Sequence, residues 1–480
     1  MSELHHLNRR DFIGGALATL GGLWLPSRCF AAAEPRRLRV GVVSDVHLRA
    51  ADIAQYARNS ERLERAFRWF NGYGVDAVMV PGDIAHSGFI AELENFAAVW
   101  NRVFPNDRGG DGRHVERLFV TGNHDLEAWW VKGEPAWRRE RVFNCGDNPR
   151  RVWQRLFHED FQLIWKKTVK GYAFVGAQWP TRDVKPPVEK WFAEHAGELR
   201  GTKPFFYIQH NPPKGTCGNG KTSHDDGTAT RALAPFANAV AVTGHTHQTI
   251  TDDSCVWQGA FTSINAGCLQ DGDNDRAGAG YDSTYPSYSP KRKLNRMKPL
   301  DAGEGGCGVL LDVFDDRIEV RRLCFAGEGE PLSLGADWVL PLPAAAGGAF
   351  DPVNQKRASV APQFAAADRL EVVRCDVAPK EIAGPALAGK PCFWLKIPHP
   401  QTLKEGSRVY DFDITVLADG CPKLHRRILA NGFNVPEKLA GRVTNCLFGV
   451  DELPTSGKVE FSVVARNSWG VEGKEKVVEL

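Results

Sequence analysis

Asp45 and His47 stand two residues apart at the end of an apolar run, in Ser44-Asp45-Val46-His47. If the chain stays extended, side chains two apart project to the same side, so one carboxylate and one imidazole are expected to grip a single cation. Gly82-Asp83 closes a second run: Gly82 lacks a Cβ and lets the backbone approach closely, and the two oxygens of Asp83 suit it to bridge two cations. Such a bridge holds the ions roughly 3.5–4 Å apart, the spacing two-metal hydrolysis requires. Asn123 offers a neutral amide oxygen, and His210 and His245 offer imidazole nitrogens to the second ion, while His247 turns back to the first. Donors drawn only from nitrogen and oxygen suit Zn, Mn or Fe, exclude a thiolate site, and with so many imidazoles disfavour Ca²⁺.

Every one of these residues lies just past a short apolar, β-branched run. Leu38–Val43 leads to Asp45 and His47, Ala77–Val80 to Asp83, and Leu118–Val120 to Asn123. Phe205–Ile208 leads to His210, and Val240–Val242 to His245 and His247. Near-continuous apolar strands separated by helix-length segments, such as 60–73 and 89–104, predict a layered α/β core with buried strands. In such folds the crevice at the carboxyl ends of the strands is the usual site, so five strand ends are expected to converge on one point.

The ordered set Asp-x-His, Gly-Asp, Gly-Asn-His-Asp, a lone His and Gly-His-Thr-His resembles the calcineurin-like metallophosphoesterase superfamily over residues 38–325. The resemblance implies an α/β/β/α sandwich holding a pair of divalent or mixed-valence ions. It assigns Asp45, His47, Asp83 and His247 to one ion, and Asp83, Asn123, His210 and His245 to the other. It also makes His124 the catalytic imidazole, oriented by Asp125. The implied reaction is hydrolysis of phosphate mono- or diesters by attack of a hydroxide bridging the two metals. The alternatives are a secreted nuclease and a non-catalytic metal-binding scaffold of the same fold. One position departs from a related pattern: three residues after the bridging Asp83, purple acid phosphatases carry a tyrosine ligand, whereas this chain has His86. His86 is read as a polar residue at a helix start, with a substrate contact as the alternative.

At 480 residues, with 42% hydrophobic and 25% charged side chains, the chain has ordinary globular composition and room for a second domain. Its formal charge is +2, and residues 1–33 carry three basic and two acidic side chains, so their removal leaves +1. With no continuous Lys/Arg stripe, a long nucleic acid is a poor partner and a small phosphoester a better one. Asn8-Arg9-Arg10-Asp11-Phe12, a mildly apolar stretch to Leu25 and Ala31-Ala32-Ala33 resemble a twin-arginine export signal cleaved after Ala33. Such a signal implies the twin-arginine machinery as a partner, a periplasmic or cell-envelope location, and no membrane anchor after cleavage. Eleven cysteines are present and Cys29 leaves with the signal. Of the rest, Cys375, Cys392, Cys421 and Cys446 are the foremost disulfide candidates, with buried free thiols nearly as expected and no pairing assigned.

The Trp- and Arg-rich stretch from Glu127 to Trp165, with Trp129, Trp130, Trp137, Arg138, Trp153 and Arg155, reads as amphipathic packing before it reads as a lid for an anion. Residues 270–305 read as an extended loop, and 309–324 as a hairpin turning at Asp315-Asp316. Residues 326–349 are Gly-, Pro- and Ala-rich and read as a linker. Alternation at Tyr410, Phe412, Ile414 and Val416, and at Phe461 and Val463, predicts that residues 350–480 form a small β-sandwich. Its end, Val464–Gly470, resembles fibronectin type III or immunoglobulin-like modules.

Overall fold

Val40, Val42, Met79, Leu118 and Val120 face one apolar layer, while Val43, Val78, Val80 and Phe119 face another. Strands apolar on both faces need cover on both faces, which is why the runs form the middle of a layered sandwich. The computed structural model describes residues 35–51, 57–127, 139–181, 184–218, 225–270, 281–282, 306–401, 408–436 and 441–480. The twin-arginine-like segment, Trp129, Trp130, Trp137 and Arg138 lie outside them. Among the described residues no helix is long and apolar enough to cross a membrane.

The first half of the chain forms β1 (Leu38–Val42), α1 (Ala57–Tyr73), β2 (Ala77–Pro81), α2 (Ile90–Val103), β3 (Glu116–Val120), α3 (Asn123–Leu126) and α4 (Asn148–Phe157). It continues with β4 (Ile164–Val169), β5 (Tyr172–Ala177), α5 (Val188–Leu199), β6 (Phe205–Ile208), α6 (Thr228–Leu233), β7 (Ala239–Thr243), β8 (Val256–Gln258) and β9 (Thr262–Asn265). After β10 (Tyr281–Asp282) come β11 (Cys307–Val313), β12 (Arg317–Cys324), β13 (Leu332–Ser333) and β14 (Trp338–Pro341).

One sheet runs β13-β12-β11-β1-β2-β3, with β14 also on β12. Its β1, β2 and β3 are parallel, and β11 and β12 form the expected hairpin. The other sheet runs β4-β5-β6-β7-β9-β8, with β5, β6, β7 and β9 parallel. The inner faces of the two sheets share one core that includes Val40, Phe174, Ile208, Val242 and Val309. Phe67, Phe96 and Trp100 of α1 and α2 cover the first sheet, and Phe192 and Leu233 of α5 and α6 the second. Each such side chain, once buried, contributes roughly 1.5–3 kcal/mol. The architecture is therefore a layered α/β/β/α sandwich: the apolar runs predicted a layered α/β core with buried strands, and the resemblance implied this sandwich. Trp153 packs on Phe157 and Phe161 while Arg155 pairs with Glu94 at the surface, so the described part of the Trp/Arg-rich stretch is packing.

Residues 326–349 correct the linker reading. Instead of running free, they supply β13 and β14, both hydrogen-bonded to β12, and Leu334, Trp338 and Leu340 enter the inter-sheet core. Gly and Pro content alone did not reveal the short alternating run Trp338–Pro341, buried at every second residue.

Beyond α7 (Pro352–Ala358) lie β15 (Glu371–Cys375), β16 (Cys392–Pro398), β17 (Asp411–Ala418), β18 (Cys421–Leu429), β19 (Val443–Gly449), β20 (Val459–Arg466) and β21 (Lys476–Glu479). They make two antiparallel sheets, β10-β18-β17-β20-β21 and β15-β16-β19. Tyr410, Phe412, Ile414, Val416, Phe461 and Val463 all lie in the core of this β-rich region, as their alternation predicted. The two-residue β10 comes from the segment expected to be a loop and pairs with Arg426 and Arg427 of β18. No disulfide forms among the described residues, and the candidates Cys375, Cys392, Cys421 and Cys446 remain thiols.

Candidate metal centre

The parallel strands of both sheets end on one spot. Asp45 and His47 follow β1, Asp83 follows β2 and Asn123 follows β3, while His210 follows β6 and His245 and His247 follow β7. All seven predicted donors are brought together there, in two groups that share Asp83: Asp45, His47, Asp83 and His247 form one, and Asp83, His210 and His245 the other. Asn123 joins the second through its Oδ1, 3.0 Å from His245 Nδ1.

The way these side chains converge differs from the extended-chain expectation. Asp45, His47, Asp83, His245 and His247 have φ of +51°, +45°, +49°, +69° and +51°, in the left-handed region that residues with a Cβ rarely adopt. Asp45 and His47 therefore meet through two turned residues rather than by strand alternation. Backbone bonds hold the turns: Asp45 N donates to Gly82 O at 3.3 Å, His47 N to Asp83 O at 2.9 Å and Gly244 N to His210 O at 2.7 Å. Gly82 has φ +94°, and a Cβ there would stand 2.5 Å from His210 Nδ1, so only glycine leaves room for that imidazole. Strain concentrated in this way on polar residues at one point marks a functional site.

In the first group His47 Nε2 lies 3.0 Å from His247 Nε2, and His247 Nε2 lies 3.2 Å from Asp45 Oδ1. Asp83 Oδ2 is 3.8 Å from His47 Nε2 and 3.0 Å from His210 Nε2. Donors bound at about 2.0–2.2 Å to one cation stand roughly 3–3.5 Å from each other, so these spacings fit metal coordination. Orphaned atoms point the same way. His210 donates from Nδ1 to the Pro81 carbonyl at 2.7 Å, which leaves Nε2 as the ligating atom; fully buried, it makes no well-aligned hydrogen bond and faces Asp83 Oδ2 at 3.0 Å. The residues present thus fit a two-metal site.

Electrostatics agree. Burial pushes the Asp83 carboxyl up, but the His210 and His47 imidazoles outweigh it and hold the group well below the usual carboxylate range. Burial lowers His210, yet the charge of Asp83 more than offsets this and lifts it to about 9. Burial and the neighbouring His210 push His245 down to about 4. The proton that Asp83 holds on His210 is one that a bound cation would have to displace.

His124 lies beside the first group, its ring 4.6 Å from that of His47, and its backbone N–H donates to Asp83 Oδ1 at 2.8 Å. Its Nδ1 bonds the His86 carbonyl at 2.6 Å, leaving Nε2 free to meet a substrate. Asp125 does not orient this ring, contrary to expectation. Its carboxylate accepts the backbone N–H groups of Ile84 at 3.2 Å, Ala85 at 2.7 Å and Gly122 at 2.8 Å, so it ties the loop after β2 to the loop after β3. Burial and the nearby Asp83 raise it to about 7.

The sequence profile of the calcineurin-like phosphoesterase family matches residues 38–249. That stretch is similar to calcineurin-like phosphoesterases. Solved structures similar to the chain include a dimetal phosphatase from Danio rerio, 11% identical with a TM-score of 0.35, covering 64% of this chain and 99% of that one. Purple acid phosphatase PPD1 from yellow lupin (Lupinus luteus) seeds is 12% identical with a TM-score of 0.40, over 63% of this chain and 53% of that one. GAP50, the anchor in the inner membrane complex of Plasmodium, is 11% identical with a TM-score of 0.34, over 64% and 89% of the two chains. Comparison with curated proteins gives no match.

Two residues of the site escaped the motif reading. The Trp179 ring lies 5.6 Å from His210 and 5.3 Å from His245, and its Nε1 donates to Glu127 Oε1 at 2.7 Å. Its signal was available, because it sits just past β5 as the donors sit past their strands. Cys268, buried behind the site, reaches the Asp45 carbonyl through Sγ at 3.4 Å. Nothing in its sequence context distinguishes it from any other buried thiol.

Proposed function

We propose that this protein is an exported phosphoesterase that hydrolyses small phosphate mono- or diesters at a two-metal centre. The observation that carries the reading is Asp83, whose carboxylate stands in both donor groups where the strands of both sheets end. Asp45, His47, Asp83 and His247 would hold one ion, and Asp83, Asn123, His210 and His245 the other. Zn, Mn or Fe ions bound there supply Lewis-acid charge and a water acidified toward neutrality.

Each side chain then has a task. The carbonyl of His86 fixes the His124 ring through Nδ1. The other nitrogen, Nε2, donates to a phosphoryl oxygen or delivers a proton to the leaving oxygen as the P–O bond breaks. Asp125 holds the loops that carry Asp83 and His124 in register. Support for export is the Arg9-Arg10 pair with its small-residue cleavage point.

Purified protein with analysed metal content, assayed on p-nitrophenyl phosphate and bis(p-nitrophenyl) phosphate with Zn, Mn and Fe, tests the activity; no product with any of them overturns it. Replacing Arg9 and Arg10 by lysine tests the export, with mature protein expected to vanish from the envelope fraction.

A further inference from the structure

His86 does not start a helix. Helix α2 begins at Ile90, and His86 lies on the loop before it, its N–H donating to the Leu48 carbonyl at 3.0 Å. The loop is pressed against the segment carrying His124: at Gly88, φ +68°, a Cβ would stand 3.0 Å from the His124 carbonyl oxygen. The His86 ring comes to 5.4 Å from both the His47 and His124 rings, which are themselves 4.6 Å apart. One ring nitrogen of each residue falls within 4.8 Å of the other two. Unlike His47, His86 is only half-buried.

Three imidazoles at one point suit either a third cation or the oxygens of an anion. The surroundings choose between them. The His124 Nδ1 is already committed to the His86 carbonyl. His47 belongs to the first metal group, and serving two cations would demand an imidazole stripped of both its protons. Arg49 adds its positive charge to His86, and its Nη1 donates to Ser87 Oγ at 3.1 Å on the same loop. A guanidinium repels a further cation and favours an anion.

We propose that His86 is a second imidazole contact to the phosphoryl group, next to His124, and sets the affinity of the site for phosphate. This rests on the two-metal phosphoesterase reading. N–H···O bonds of about 2.7–3.2 Å let two nitrogens no more than 4.8 Å apart reach a single phosphate, even a single oxygen of it. The role needs a hydrogen-bond donor rather than an ionised imidazole, so glutamine is a partial substitute.

His86→Ala and His86→Gln test it in metal-loaded full-length protein. Metal content, calorimetric binding of orthophosphate, and kcat and KM on p-nitrophenyl phosphate are measured for each and for the wild type. His86→Ala is expected to keep its metal content, to bind orthophosphate roughly 10- to 100-fold more weakly and to raise KM by a similar factor, in the range of a hydrogen bond to a charged group. His86→Gln recovers part of both. Orthophosphate affinity unchanged in His86→Ala overturns the inference while leaving the two-metal reading intact. Loss of an ion in both variants also overturns it, because His86 would then be a ligand. A wild type that holds no ions overturns the two-metal reading and this inference with it.

Discussion

Five donors of the site occupy left-handed backbone, each at a cost of order 1–3 kcal/mol, and backbone hydrogen bonds at Asp45, His47, Asp83 and His245 help to hold it. Asp83 is the most heavily engaged. With its Oδ2 facing His47 and His210 and its Oδ1 accepting from His124, Asp83→Ala is expected to lose metal, and plasma emission spectrometry showing full content would contradict the bridging assignment. His124→Ala should behave in the opposite way, retaining its ions while turnover on p-nitrophenyl phosphate falls about 10²- to 10⁴-fold. His210 predicts a pH dependence. Raised to about 9 from its ordinary 6.5 by Asp83, it gives the metal-free protein stability that is fully present below pH 6.5 and lost as pH rises through 9. Because a cation must displace that proton, metal affinity should climb over the same interval. Melting temperatures of chelator-treated protein from pH 6 to 9.5 check the first part, and a wild-type profile no steeper than that of His210→Ala would refute it.

Strands, more than helices, hold the site in place. β1 bears Asp45 and His47 at its carboxyl end and is fastened to β11 by Arg39, whose Nε and Nη2 reach the two Asp312 oxygens at 2.6 and 2.8 Å. Both partners are buried, so removing one strands the other's charge away from water. Asp312→Ala is expected to destabilise the fold by about 3–5 kcal/mol in urea unfolding, and a change under 1 kcal/mol would show that Arg36 and Arg321, also near this carboxylate, matter as little as Arg39. The apolar runs made these strands readable, because a strand covered on both faces must be apolar nearly throughout. The edge strands β13 and β14 were not readable, since short strands at a margin need little more than one buried face.

Across the whole molecule, the C-terminal β-rich region touches the α/β core close to the candidate metal centre. Thr251, four residues beyond His247, donates from Oγ to the Phe433 carbonyl at 2.6 Å, and Gln355 Nε2 donates to the Asp253 carbonyl at 3.4 Å. β10, from the segment after β9, is hydrogen-bonded into the C-terminal sheet. The region is therefore a packing partner of the loop that carries His245 and His247. Thr251→Val, which leaves the Phe433 carbonyl without its donor, should cost about 1–3 kcal/mol in thermal or urea unfolding; no measurable change would mean the contact is dispensable.

The donor types, their order along the chain and their place at strand ends came from local sequence alone. An apolar run followed by a polar cluster is a local pattern, and buried parallel strands impose it. The turned backbone at Asp45 and His47, the tie from Asp125 to three backbone amides and the approach of His86 to His124 were decided only by tertiary structure. They depend on loop dihedrals and on pairings such as the bridge between Leu48 and Ala85, set by contacts between segments far apart in the chain. Periodicity reports which face of an element is buried, and it is silent on where a loop between two elements comes to rest.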